Sequence, residues 1–289
     1  MNITIKNNDL EAVISTKGAE LKSLKCKDDE YVWNSDPKYW GRSAPLLFPV
    51  IGTLKDKKAS INGVIYDIPK HGIIRDQEFT VLNSSENAVS LMAEYDDVTL
   101  KTYPFKYRIV VSYELLDKLT TSVKIINLGQ DTMPFNFGGH PAFMCPIFEK
   151  EVFNDYKITF EKPETFVSPK VESNATLNFN VGAMERSNLK VLELSKDLFD
   201  IDTIIITKVK SDYVTLTNKE NKGIKFSFAD FSTLSIWTPQ NDSPFICLEP
   251  WIGYNDHHDT NGDFYTKDDL MFLKKDEEKT LSYDIEIIL

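Results

Sequence analysis

Short segments rich in Ile, Val, Phe, Tyr and Thr, apolar at every second position, recur along the whole chain, and no long amphipathic stretch interrupts them. Tyr107–Leu115, Thr120–Leu128, Tyr213–Thr217, Ile224–Phe228, Leu234–Trp237 and Leu281–Ile288 all read as strands. Turn-like runs such as Leu-Asp-Lys at 116–118 and Asn-Lys-Glu-Asn-Lys-Gly at 218–223 separate them. Strands in hairpin rhythm without intervening helices exclude a parallel α/β sheet. They predict an all-β chain, a large antiparallel β-sandwich with two sheets packed face to face. The helix candidates, Pro37–Gly41 and Leu194–Leu198, span only a turn or two. No linker or composition break divides residues 1–289, so a single domain is expected, and no repeat of fixed period is present.

Charge narrows the partners. Acidic residues outnumber basic ones 44 to 33, a formal net charge of −11, where a nucleic-acid surface wants the opposite balance. The same field disfavours an anionic membrane, while a local basic pocket for one phosphate stays compatible with it. No run approaches the ~18 apolar residues of a membrane-spanning helix, and Met1–Ser15 lacks the pattern of a signal peptide. Cys26, Cys145 and Cys247 are odd in number and lack C-x-x-C spacing. They read as reduced, partly buried thiols of a cytoplasmic protein.

Chemistry concentrates in a few places. In Pro69–Phe79 (PKHGIIRDQEF), His71 precedes Gly72, whose freedom lets the backbone bend so that an imidazole faces a cavity. In Met133–Phe143 (MPFNFGGHPAF), His140 follows two glycines and precedes a proline, where a strand ends. Either histidine alone reads better as a hydrogen-bonded core or turn residue; the two together shift the reading toward a site. Pro244–Gly253 (PFICLEPWIG) places Glu249 inside an apolar run, on one pleat face with Phe245, Cys247 and Trp251. A carboxylate so placed must be paired, protonated or used, and desolvation raises its pKa toward that of a base working near neutrality. The alternative is a structural Glu bonded to backbone amides or paired with Arg42 or Arg75. Arg42, in Trp40–Gly52 (WGRSAPLLFPVIG), precedes an apolar run whose prolines argue for an edge strand or loop; it is a candidate for binding hydroxyls or phosphate, or an ordinary surface cation. Asp202, in Leu198–Ile206 (LFDIDTIII), is a candidate acceptor for sugar hydroxyls or a turn aspartate.

Other patterns carry no chemistry. Asp256-His257-His258-Asp259 lacks the i, i+4 spacing of a helical zinc pair. Asp259, Asn261 and Asp263 begin like a calcium loop, but Phe264 stands where that loop needs Gly. Both read as a solvated loop, so no metal site is expected. Gly138-Gly139 has no dinucleotide-binding context.

In this order, RSAPLLFPVIG, PKHGIIRDQEF, FNFGGHPAF, LFDIDTI and PFICLEPWIG together resemble the aldose 1-epimerase (galactose mutarotase) family. The nearest likeness is to its branch encoded beside bacterial lactose-utilisation genes, which also resembles the hexose-6-phosphate epimerases. The resemblance implies a β-supersandwich with an open sugar cleft, a small-molecule sugar as partner and no cofactor. It implies an isomerase in which His140 is the general acid, Glu249 the general base and His71 a second cleft histidine, with Asp202 and Arg42 holding hydroxyls. Arg75 matches an H-G-x-x-R arginine of the hexose-phosphate branch. The expected reaction is interconversion of the α and β anomers of an aldohexose. A hexose 6-phosphate clamped by Arg42 and Arg75, or a noncatalytic carbohydrate-binding sandwich, are the alternatives. Trp40, Trp237 or Trp251 is a candidate apolar platform for the sugar, with aromatic core packing the expected role of at least one of them.

Overall fold

Leu248 and its strand neighbours show how the chain builds two layers. The computed structural model describes residues 1–289, and its strand Phe245–Ile252 is buried on both faces. Ile246 and Leu248 point into a core of 63 buried residues, while Phe245, Cys247 and Trp251 point the other way into two small apolar clusters. This strand is central to a six-stranded antiparallel sheet ordered Thr203–Thr207, Thr233–Trp237, Phe245–Ile252, Phe137–Gly139 and Leu46–Leu47, with Ala142–Met144 also paired to it. The proline-flanked Leu46–Leu47 lies at the sheet edge, where a missing N–H costs no ladder bond.

A nine-stranded antiparallel sheet covers the inner face of this small sheet. Its order is Leu177–Glu193, Lys157–Val171, Tyr213–Thr217, Gly223–Ser227, Glu278–Ile288, Leu119–Asn127, Tyr107–Leu115, Ala88–Glu94 and Thr80–Ser84. The two layers meet through apolar side chains such as Phe143 and Phe226, ring centroids 5.5 Å apart. The alternation in Tyr107–Leu115 and Leu119–Asn127 is that of strands with one face on the core. A four-stranded meander, Asn2–Lys6, Leu10–Ser15, Leu21–Cys26 and Asp29–Glu30, precedes both sheets.

Two features depart from the sequence reading. Pro37–Gly41 is a turn closed by the Trp40 N–H on the Asp36 carbonyl at 3.0 Å, not a helix. The second candidate survives as a 3-10 turn over Lys196–Phe199, and the α-helical turn lies elsewhere, at Thr99–Thr102. The longest strands, Lys157–Val171 and Leu177–Glu193, form a bulged hairpin that crosses from the large sheet to the outer face of the small one. Its tip is fixed there by the Leu177 N–H on the Asp256 carbonyl at 2.8 Å and the Asn255 amide on the Ala175 carbonyl at 2.7 Å.

Candidate active site

The outer face of the small sheet, opposite the main core, forms the floor of a cleft. Its antiparallel register sets Ser235 directly beside Glu249, and Trp237 beside both Thr203 and Cys247. Along the same pleats Ile204, Ile206, Leu234 and Ile236 turn inward to the core, which leaves Thr203, Ser235, Trp237, Glu249 and Trp251 facing the cleft. The hairpin tip, through Val171 and Ala175, and the loops bearing Trp40, His71 and Asn255 wall it, enclosing about 190 Å³.

His140 enters this floor where Phe137–Gly139 gives way to Ala142–Met144, both paired to the Glu249 strand. Pro141 interrupts the ladder there, and the His140 N–H is taken by the Pro45 carbonyl at 3.0 Å. His140 Nε2 comes within 3.1 Å of Glu249 Oε2, and the two residues are 7% and 2% exposed. The contact is close but not aligned: Glu249 Oε2 and His140 Nδ1 are left without hydrogen-bond partners. Trp40 stacks on the imidazole at 4.7 Å between centroids, and Trp237 meets it edge-on at 5.9 Å.

Electrostatics follow from that enclosure. Burial pushes the Glu249 carboxyl well above the usual carboxylate range; Lys70 opposes the shift and Asp202 adds to it. Burial, assisted by the positive charges of Lys70, Arg75 and Arg42, brings the His140 imidazole down to about 3. Close as they are, burial favours both side chains as neutral groups over an ion pair.

His71 is fixed by backbone geometry. Its φ of +65° is followed by +74° at Gly72, two successive left-handed residues that turn the loop back on itself. A Cβ on Gly72 would stand 2.0 Å from the Phe48 carbonyl oxygen, so only glycine fits. The Gly52 N–H donates to His71 Nδ1 at 3.1 Å. With the ring held neutral by burial and by neighbouring His140, its proton is assigned to Nε2. The two imidazoles meet edge to face at 5.4 Å.

The remaining predicted residues divide. Asp202, in a left-handed conformation at φ +77°, stands at the cleft rim. Arg75 reaches the cleft wall, yet its guanidinium donates to the Lys70 carbonyl at 2.7 Å and lies 3.8 Å from Asp76, so it braces the His71 loop. Arg42 does not line the cleft. It is held by Asp76 at 2.8 Å and by the Arg75 carbonyl at 3.3 Å, in an adjoining depression that it shares with Trp40 and Arg75. That pairing partner, 34 residues away, is invisible in the local sequence. Neither arginine pairs with Glu249.

Every measure of likeness points the same way. The description aldose 1-epimerase matches residues 1–283. The chain belongs to the aldose 1-epimerase family. It is 34% identical to the plasmid-encoded protein LacX of Lactococcus lactis over the full length of both chains. A galactose mutarotase related enzyme from Lactobacillus acidophilus superposes with a TM-score of 0.94 at 30% identity, covering 100% of this chain and 98% of that one. A galactose mutarotase-like protein from Lactobacillus casei gives 0.90 at 32% identity, covering 99% and 100%. The fold is thus that of the galactose mutarotase-like proteins, as the motif order implied.

Within this member of the family, Lys70, Thr203, Ser235 and Asn255 are cleft residues that the sequence reading missed. Alternation in Thr233–Trp237 was the available signal for Ser235, which shares a face with Trp237. The run at 256–259 is also less solvated than expected. Asp256 is buried and binds Lys267 Nζ at 3.0 Å and the Lys55 N–H at 3.0 Å, which anchors the loop behind Asn255. One grouping has metal-ligand chemistry: the donor atoms of His140, Cys247 and Glu249 lie within 4.8 Å of one another. Burial holds the Cys247 thiol protonated, and the cations at the rim oppose a further positive charge.

Proposed function

We propose that the protein is a cofactor-independent isomerase that interconverts the α and β anomers of a free aldohexose, with Glu249 as general base and His140 as general acid. The 3.1 Å approach of His140 Nε2 to Glu249 Oε2 on a buried cleft floor carries this reading. Ring opening removes a proton from the anomeric hydroxyl and delivers one to the ring oxygen, two oxygens bonded to the same carbon. An acid and a base only a few ångströms apart meet that demand.

Proton accounting links the pair to the reaction. Burial favours the neutral form of each group, so their one shared proton rests on Glu249. As the sugar's hydroxyls bring the two side chains into line, transfer of that proton to His140 generates carboxylate and imidazolium together, stabilised by those hydroxyls. Glu249 then takes the anomeric proton, the bond from the anomeric carbon to the ring oxygen breaks as the carbonyl forms, and His140 protonates the ring oxygen. The opened sugar faces protonated Glu249 and neutral His140, the arrangement that burial already favours. Rotation about the first carbon–carbon bond and the reverse transfers close the other anomer. His71 Nε2–H donates to the ring oxygen or a neighbouring hydroxyl, and Asp202 accepts from another. Polarimetry of freshly dissolved α-galactose and α-glucose, with and without the protein, tests the activity.

A second reading takes a hexose 6-phosphate at the same acid–base pair. It is favoured by Lys70, which lines the cleft and, unlike Arg42 and Arg75, is engaged by no carboxylate. A tenfold preference for glucose 6-phosphate over both free sugars, about 1.4 kcal/mol in the transition state, would select it.

A further inference from the structure

Trp251 lies two residues beyond Glu249 on the same pleat face and is 3% exposed. Its ring packs with Leu47, Ile51, Leu177 and Ile205 on the outer side of the small sheet, and it helps to line the cleft. Its indole N–H has no acceptor anywhere in the protein. A buried donor left unpaired is costly, and a buried tryptophan N–H ordinarily finds a partner.

The placement of this donor is specified by the chain. Trp251 pairs across the sheet with Gly138, the first of the two glycines that precede His140. A Cβ at Gly138 would lie 2.6 Å from Trp251 Cδ1, the carbon bonded to the indole nitrogen, and 2.8 Å from the Pro250 carbonyl oxygen. An alanine there would displace the pyrrole edge of the ring. Gly138 thus has a physical purpose that no nucleotide motif supplied.

Because an indole can only donate, the missing partner is an acceptor oxygen. We infer that Trp251 is a specificity-determining residue that donates its indole N–H to one hydroxyl oxygen of the sugar, and that Gly138 is the positioning residue that makes room for it. The inference rests on reading the cleft as an aldose site. It replaces the apolar platform expected of Trp251 with a directional polar contact. A site built around such a donor rejects a sugar lacking the matching hydroxyl, because the N–H then stays unpaired.

The test is kcat/KM for galactose, glucose and their 2-, 3-, 4- and 6-deoxy derivatives, with wild type, Trp251→Phe and a variant carrying benzothienylalanine, an isostere without the N–H, at position 251. In wild type one deoxy position should cost tenfold or more. Both variants should lose that discrimination while treating the other sugars within about threefold of one another. Equal slowing of every sugar, or full discrimination by the isostere, would overturn the inference and leave Trp251 a packing residue. If wild type turns over no aldose, the proposed reaction fails separately. The same series read as binding by calorimetry then decides the role of Trp251, and absence of binding to wild type overturns both.

Discussion

The Trp40 indole lies almost flat on the His140 imidazole, with ring centroids 4.7 Å apart and planes 27° from parallel. Trp40 comes from a turn that follows Trp33, and His140 from a break between strands some hundred positions later, so the contact exists only in the folded chain. It completes the enclosure that holds the imidazole near a pKa of about 3.

Trp40→Ala should therefore readmit water and raise the His140 pKa toward the ordinary value near 6.5, because desolvation is the largest cause of its depression. Histidine resonances followed by NMR against pH would report it. Turnover should fall by about tenfold or more as the acid loses its orientation, whereas Trp40→Phe should keep most of both properties. An unmoved His140 titration in a folded Trp40→Ala protein would assign the depression to other neighbours.

Stability should depend on pH through the same burial. His71 and His140 have folded pKa values below their unfolded value near 6.5, so below that pH the unfolded chain binds protons that the folded chain refuses. Each histidine then removes stability at up to about 1.4 kcal/mol per pH unit as the pH falls, for His140 until about 3. Glu249, whose folded pKa is raised, acts in the opposite sense and offsets part of this loss above its unfolded value. Urea midpoints at pH 7 and pH 5 should converge in His71→Asn relative to wild type. An unchanged difference between the two pH values would contradict the assignment of a neutral, buried His71.

Two glycines of similar backbone angle should respond very differently to alanine. Gly72, at φ +74°, faces the Phe48 carbonyl oxygen at 2.0 Å from a built Cβ, while Gly63, at φ +78°, has nothing within 4 Å. Gly63→Ala should cost only the left-handed strain of about 1–2 kcal/mol. Gly72→Ala must also move the His71 loop off the Phe48–Gly52 segment, so it should cost more and slow turnover. Thermal melts of the two variants and their rates check this.

Much of this was legible in the chain, and what was not has physical reasons. Period-two alternation located the central strands of the large sheet, because burial of one face imposes that period directly, while the pleat of any extended strand put Cys247, Glu249 and Trp251 on one face of an otherwise apolar run. The hairpin Lys157–Val171 and Leu177–Glu193 left little such signal, since much of its second strand is exposed at the sheet edge. The settings of Arg42 and Asp256 were not legible for a different reason. Their partners, Asp76 and Lys267, are chosen by tertiary contact, and no local pattern announces an ion pair. Lys70 sat beside His71 in the sequence, but a cleft-facing lysine reads like any surface lysine until the cleft is built.

Everything in the proposed chemistry turns on the carboxyl of Glu249, and Glu249→Gln keeps its shape while removing its ability to accept a proton. Mutarotation of α-galactose and α-glucose by this variant, followed by polarimetry on protein whose circular dichroism and melting match wild type, is the most direct test. The proposed role predicts a loss of about 10² to 10⁴-fold in kcat. A folded Glu249→Gln protein that turns over at nearly the wild-type rate would contradict it.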